Sequence, residues 1–282
     1  MLILEDPEAL RGAARAARRE GRRVGLVPTM GALHAGHLSL VRVARERAEL
    51  VVMSLFVNPT QFGPGEDLVA YPRDFDGDRR QAEAAGVDIL FAPGAGALYA
   101  AGEATRVEVE RLGHLLCGAS RPGHFRGVVT VVAKLMLLCE PHVAVFGRKD
   151  YQQFRILERM ARDLFLEVEV VGAPTVREAD GLALSSRNRY LSGEERRAAL
   201  ALPRALEAGS AAVAAGQRDP AAVVERMAQV LRAEPMARID YLEAVDTVEL
   251  RRIPVVRGEV LLAGAAFIGR TRLIDNRELR VA

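Results

Sequence analysis

The sequence predicts a doubly wound, parallel α/β sheet followed by a smaller C-terminal α+β domain. Three observations carry this. Short Val- and Leu-rich runs alternate with stretches of helical spacing through the first 175 residues, the pattern of successive βαβ units. Two of those runs end in glycine-bearing turns that open directly into helices, at Gly31–His37 and at Gly147–Asp150. Beyond residue 176 the order changes to two Ala-rich helices followed by three β-like runs. A first domain over 1–175 and a second over 176–282 follow, the boundary being marked by Gly172-Ala-Pro174 and Asp180-Gly181.

Composition sets the bounds. A chain of 282 residues is too long for one modest core, and half of it is hydrophobic. A net charge of +2 gives no case for nucleic acid or a membrane surface. No apolar run approaches a membrane span, 128–138 being broken by Lys134, and Met-Leu-Ile-Leu-Glu-Asp at the start has none of the features of a signal peptide. Cys117 and Cys139 are isolated, so a reduced, cytoplasmic setting is expected.

Residues 7–20 read as a helix with Pro7 near its start and arginines on a solvated face. Val24–Val27 reads as a buried strand ended by Pro28. After a turn at Gly31, His34-Ala-Gly-His37 opens a helix with apolar residues at 38, 40, 41 and 44, running to about Glu49. A helix start leaves backbone N–H groups unpaired and favours anions. Gly31 and Gly36 let a ligand approach the backbone, and His34 and His37, three apart, share a face. Two imidazole donors there suit a polyphosphate whose charge grows as a bond to phosphorus breaks. A plain surface turn is the bland reading. A metal pair is the other, but zinc wants three or four ligands and no further His or Cys stands at ligand spacing.

Leu50–Val57 is the next strand, ending in Asn58-Pro-Thr-Gln61-Phe-Gly. Ligands of open α/β sheets collect outside such strand ends, and the carboxamides of Asn58 and Gln61 suit a substrate with hydroxyl and carboxylate groups. Asp74, Asp76 and Asp78 lack the spacing of a calcium loop and read as a solvated helix start. That helix closes at Gln81–Gly86, and Val87–Ala92 is a third strand. Residues 93–127 are the least regular: Thr105–Glu110 alternates like a strand and 111–117 suits a short helix. Arg121–Gly127 is a basic loop before a helix over 128–139, where His124 and Arg126 either receive an anion or merely mark a turn.

Val143–Phe146 is a strand running into Gly147-Arg-Lys-Asp150 and a helix over 151–162. Of 39 basic residues 37 are arginine and two are lysine, Lys134 and Lys149. A lysine kept in a motif against that bias is one that Arg's planar fork does not replace, and Lys149 would reach phosphates as a mobile ammonium. Gln153, four residues on, shares its helical face. Phe165–Val171 is a further strand. Ser192 and Glu195 form a capping box for a helix to about 215, and Asp219-Pro220 starts another to about Ala233. Asp240–Val245, Glu259–Phe267 and Thr271–Asn276 make a small antiparallel sheet with no chemistry of its own.

The segment Pro28-Thr-Met-Gly-Ala-Leu-His-Ala-Gly-His37 resembles the signature of the pantoate–β-alanine ligases. His-x-Gly-His alone points only to the wider nucleotidyltransferases, class I aminoacyl-tRNA synthetases among them. Tyr71-Pro-Arg73, Arg121–Gly127, Gly147–Asp150 and Val176–Ser192 are similar to the same family. Two departures stand out. Arg148 replaces a usual Glu, so any role for an acid there does not carry over, and Leu184 replaces a frequent Met of similar volume.

The resemblance implies a Rossmann-like first domain and ATP-dependent condensation of pantoate with β-alanine through a pantoyl adenylate. It implies catalytic roles for His37, His34 and Lys149. ATP contacts fall to Met30, Gly31, Ala32, Leu33, His34, Ala35, Gly36 and His37, to Gly147, Arg148, Lys149 and Asp150, and to Val176, Leu184, Ser185, Ser186 and Arg187. Gln61, Asn58 and Gln153 would hold pantoate and lie by β-alanine. Mg2+ would arrive with ATP, its side-chain ligands unassigned. A homodimer, and a second domain acting as a lid that bears the Ser-Ser-Arg loop, are implied in the same way. Two rivals remain: a nucleotidyltransferase acting on a phosphate acceptor, which does not account for uncharged Gln61 and Gln153, and a nucleotide-binding regulator or RNA-binding module, against which the near-neutral charge and intact motifs argue.

Overall fold

The computed structural model describes residues Met1–Ala282, which divide into two compact units. The first comprises Met1–Gly113, Arg121–Arg148 and Gln153–Pro174. Thr175–Ala282 forms the bulk of the second, and two short segments that precede the expected boundary, His114–Ser120 and Lys149–Gln152, pack with it.

The first unit is built on β1 (Leu2–Leu4), α1 (Pro7–Arg19), β2 (Val24–Thr29), α2 (Ala35–Arg45), β3 (Leu50–Leu55), α3 (Phe75–Ala84), β4 (Ile89–Phe91) and α4 (Ala95–Leu98). After α5 (Leu116–Ser120), which belongs to the second unit, come α6 (His124–Cys139), β5 (Val143–Gly147), α7 (Tyr151–Asp163) and β6 (Glu169–Ala173). All six strands are parallel, in the order β1-β4-β3-β2-β5-β6. The chain therefore winds outward in both directions from β2. The β2–β5 junction is the point where strand order reverses, and ligands of such sheets bind outside the carboxyl ends there. The core between sheet and helices is aliphatic, with Val27, Leu33, Leu40, Val41, Met53, Leu90 and Val143 all buried.

Pro28 does not end β2, which continues to Thr29. A proline interrupts a central strand because it has no N–H for the ladder. Here the β5 ladder covers only Gly25 and Leu26, while Pro28 and Thr29 remain in register with Ser54 and Leu55 of β3.

The second unit continues with α8 (Gly193–Ala198), α9 (Ala201–Ala214), α10 (Pro220–Arg232), β7 (Ala237–Asp246), β8 (Gly258–Ile268) and β9 (Thr271–Val281). Its three strands are antiparallel, in order β7-β8-β9, and α9 and α10 cover the sheet through Leu202, Leu206, Met227, Leu231 and Leu262. The capping box of Ser192 and Glu195 is present, and Asp219 caps α10 with Pro220 at its first position.

Four differences from the sequence reading have local causes. The three-residue β1 was too short to show a period, and is held by pairing with β4. Thr105–Glu110 makes no strand: the Val107 N–H donates to Thr130 Oγ1 on α6 at 3.0 Å, while that hydroxyl donates to the Arg126 carbonyl of its own helix at 2.7 Å, so a side chain stands in for a strand partner. The strand expected over 165–171 starts at Glu169, because Phe165 adopts a left-handed φ of 53° and is 92 % exposed. The Ala-rich helix after Ser192 is two helices, α8 and α9.

Candidate active site

Residues 29–37 leave the carboxyl end of β2 and turn into α2. Thr29 starts the turn. Its hydroxyl donates to the Ser54 carbonyl at 2.6 Å and accepts from the Gly31 N–H at 3.2 Å. Gly31 (φ 80°) and Ala32 (φ 51°) are both left-handed. Asp78 of α3 stabilises this unusual backbone: its carboxylate accepts from the Ala32 and Leu33 N–H groups, each at 2.7 Å. A Cβ at position 31 would lie 2.8 Å from Asp78 Oδ2, so glycine is required both by φ and by space.

The turn delivers His34 as the N-cap of α2. Its Nδ1 accepts from the Gly36 N–H at 3.1 Å, and its carbonyl accepts from His37 N–H at 2.8 Å. A ring nitrogen that accepts carries no proton, so His34 is neutral with its hydrogen on Nε2. The His37 ring stacks on it. The expected pairing of the two imidazoles at a helix start is therefore present, together with the backbone N–H groups of the first turn of α2.

Asp78 is the residue the sequence reading missed. Of the three alternating aspartates, Asp74 caps α3 by accepting from the Gly77 N–H at 2.9 Å and Asp76 is exposed. Asp78 is 4 % exposed and turned towards the Met30–Leu33 loop. Its partners lie 45 and 46 positions away in sequence, so no local spacing reveals it.

Gln61 sits on a single 3-10 turn, Pro59–Gln61, beyond the carboxyl end of β3. It is 9 % exposed, and its Nε2 donates to Met30 Sδ, which joins two of the residues expected to meet substrates. Asn58, 1 % exposed, donates to Gln61 Oε1 at 3.2 Å and to the Gly127 carbonyl at 3.0 Å, and its Oδ1 accepts from Thr60. A substrate contact through Asn58 has to exchange one of these bonds. Gly127 admits the close approach of α6: a Cβ there would lie 2.7 Å from Gln61 Cα.

His124 and Arg126 lie in the first turn of α6, which begins four residues before its expected start. The structure separates them. Arg121 Nη1 faces His124 Nε2 at 3.0 Å, and since a guanidinium only donates, that nitrogen accepts. The proton is then on Nδ1, which donates to the Gln61 carbonyl at 2.8 Å. Arg121 also forms a two-pronged pair with Glu66, at 2.7 and 2.5 Å. His124 thus holds the Gln61 turn, whereas Arg126 is exposed.

Gly147 ends β5, next to β2 in the sheet, and Arg148–Asp150 form a 3-10 turn leading into α7. Arg148 Nε donates to the Gly172 carbonyl of β6 at 3.0 Å, so Arg148 ties two strand ends together. Gln153 is half-buried in the first turn of α7. In the second unit, the Lys149 side chain is 18 % exposed, with Nζ 3.9 Å from Asp150 Oδ2. Val176 and Leu184 are brought together, the Leu184 N–H donating to the Val176 carbonyl at 3.0 Å. This closes a loop whose end presents Ser185, which caps a 3-10 turn over Ser186–Tyr190 by accepting from the Arg187 N–H.

A family profile described as pantoate–β-alanine ligase matches residues 2–278. The chain belongs to the pantoate–β-alanine ligase family. Pantothenate synthetase of Moorella thermoacetica is 54 % identical over 281 residues, covering 100 % of this chain and 99 % of the relative. That of Heliobacterium modesticaldum is 53 % identical, covering 100 % of both. The crystal structure of the Thermus thermophilus enzyme aligns with a TM-score of 0.93 at 49 % identity, over 98 % of this chain and 99 % of that one. A Francisella tularensis family member, complexed with β,γ-ATP and β-alanine, aligns with a TM-score of 0.81 at 31 % identity, over 98 % and 97 %. The family's Rossmann-like first domain and smaller C-terminal domain correspond to the parallel and antiparallel sheets described above.

Proposed function

We propose that the chain joins pantoate to β-alanine at the expense of ATP in two steps, as the family assignment and the residues together support. The pantoate carboxylate attacks the α-phosphorus of ATP. The bond from that phosphorus to the bridging oxygen breaks, and pyrophosphate leaves from pantoyl adenylate. The amine of β-alanine then attacks the acyl carbon, AMP departs, and the amine loses its proton to solvent.

The observation that carries the reading is the neutral His34 capping α2 with His37 stacked on it, on a loop fixed by Asp78. His34 Nε2–H and His37 act as donors to the phosphates as pyrophosphate forms, and Lys149 supplies a full charge to the same leaving group. Ser185, Ser186 and Arg187 bind the β,γ-phosphates. Met30 and the backbone of 31–36, Gly147, Arg148, Asp150, Val176 and Leu184 frame the nucleotide. Gln61 and Gln153 orient pantoate, with Asn58 and His124 holding Gln61 in place. Catalysis is then positioning and charge stabilisation, with no covalent enzyme intermediate.

Mg2+ belongs in this reading to the substrate, as MgATP, since it keeps several waters and binds largely through phosphates. No helix is long and apolar enough to cross a membrane. A cytoplasmic homodimer is part of the proposal, on the family's example. Pantoate labelled with 18O in its carboxylate tests the chemistry: one label passes to AMP if the carboxylate attacks phosphorus, and none does if ATP is used in another way.

A further inference from the structure

Strand β9 carries no residue that the sequence assigns to the reaction, yet it touches two segments that are so assigned. Asn276 Nδ2 donates to the backbone carbonyl of Lys149 at 2.9 Å. The preceding residue, Asp275, is 4 % exposed and receives the fork of Arg177, Nη1 to Oδ2 at 2.7 Å and Nη2 to Oδ1 at 2.9 Å. Asp275 Oδ1 also accepts from the Asn276 N–H at 2.8 Å, which makes the two contacts one network.

Successive residues of a strand point to opposite faces, so two adjacent buried polar side chains each need a partner on their own side. Asp275 and Asn276 are such a pair, opposite Gly264 and Ala263 of β8. Their partners are informative. Arg177 follows Val176 and bridges to Ala183, and its Nη1 donates to the Gly181 carbonyl at 3.0 Å. It therefore braces the stem of the loop that ends in Ser185. A paired guanidinium and carboxylate with two parallel bonds fixes direction as well as distance. Lys149 is a long side chain whose reach depends on where its backbone is held, and Asn276 holds it.

We propose that Asp275 and Asn276 are positioning residues: β9 sets the backbone of Lys149 and the stem of the 176–184 loop as a single frame for phosphate recognition. The proposal rests on the reading that Lys149 and Ser185–Arg187 act on the phosphates of ATP.

The test is a double-mutant cycle of Asn276→Ala with Lys149→Ala, reading kcat and KM for each substrate by pyrophosphate release. Asn276→Ala is expected to lower kcat about ten- to a hundredfold, as small misplacements of a charge do, with KM for pantoate within about twofold of the parent. Combined with Lys149→Ala it adds little further loss, because the group it positions is already gone. A structural role alone would make the two losses multiply, and that result overturns the proposal. Asn276→Ala with parental kcat also overturns it, while a slow Lys149→Ala in the same series leaves the parent reading standing. Parental turnover in Lys149→Ala removes both. Should Asn276→Ala melt below assay temperature, Asn276→Asp replaces it. That variant is the same size but lacks the amide donor, and the same outcomes are read.

Discussion

The imidazoles of His34 and His37 stack with centroids 4.1 Å apart and planes 29° apart. The relation follows from their spacing. His34 is the cap and His37 the third residue of the helix, so the capping geometry that places one ring also places the other. Cap and chemistry are therefore separable by mutation. His34→Ala loses the cap bond, costing about 1 kcal/mol of stability, together with activity. His34→Asn restores a capping oxygen, so its melting temperature stays near the parent while pyrophosphate release remains slow. His37→Ala loses on the order of 10²–10³ in rate, as when a main electrostatic donor is removed.

Asp78 serves two N–H groups at once, one with each carboxylate oxygen. Asn at 78 accepts from one and turns an amide N–H towards the other, leaving a buried donor unsatisfied at a cost of about 1–3 kcal/mol. Asp78→Asn is expected to lower both melting temperature and kcat. Gly31→Ala, which strains φ and meets the same carboxylate, should do likewise. Calorimetry beside the pyrophosphate assay checks both.

The two lysines have different employments. Lys134 Nζ bonds the Leu98 carbonyl and Glu103 and lies 4.4 Å from the centre of the Tyr99 ring, a compact packing site. Lys149, 18 % exposed, has only Asp150 as an ionic neighbour, at 3.9 Å, and in the proposed reading it acts as a point charge towards phosphate. Lys149→Arg should keep the fold and lose most turnover. An active Arg variant, measured by kcat, would end the argument from the surviving lysine.

Burial disfavours the charged form of Glu66, but the Arg121 fork outweighs it and holds the carboxyl below its ordinary 4.5. A depressed carboxyl stabilises the folded state fully above 4.5 and loses that contribution as pH falls through the folded value. Because Arg121 and His124 support Gln61, Glu66→Gln should weaken pantoate binding at neutral pH and flatten the acid side of the stability profile. Calorimetry between pH 3 and 7, beside the pantoate KM, reads both effects.

Burial alone pushes the Cys139 thiol up to about 12. At pH 8 it holds almost no thiolate. Native protein treated with iodoacetamide should leave Cys139 unmodified by mass spectrometry, and denatured protein should not.

What the sequence made legible was local. The strand–turn–helix at 24–45, the Asn58–Gln61 turn and the capping box of Ser192 are all readable because partner and signal lie within a few residues. The Asp78 clamp and the Arg177–Asp275 fork span 46 and 98 positions, and nothing in their own neighbourhoods distinguishes them from solvated charges. His124 lay between: its loop was visible, but its role came from the Gln61 carbonyl, 63 positions away. Thr105–Glu110 failed in the opposite way, a true alternation whose strand partner turned out to be the Thr130 hydroxyl.

The central claim is best tested by following pyrophosphate release from ATP, first with pantoate alone and then with β-alanine added. A burst close to one equivalent per site is expected with pantoate, becoming continuous turnover with formation of AMP and pantothenate when β-alanine is present. Release that ignores pantoate, or that needs β-alanine before any pyrophosphate appears, would contradict an acyl-adenylate route.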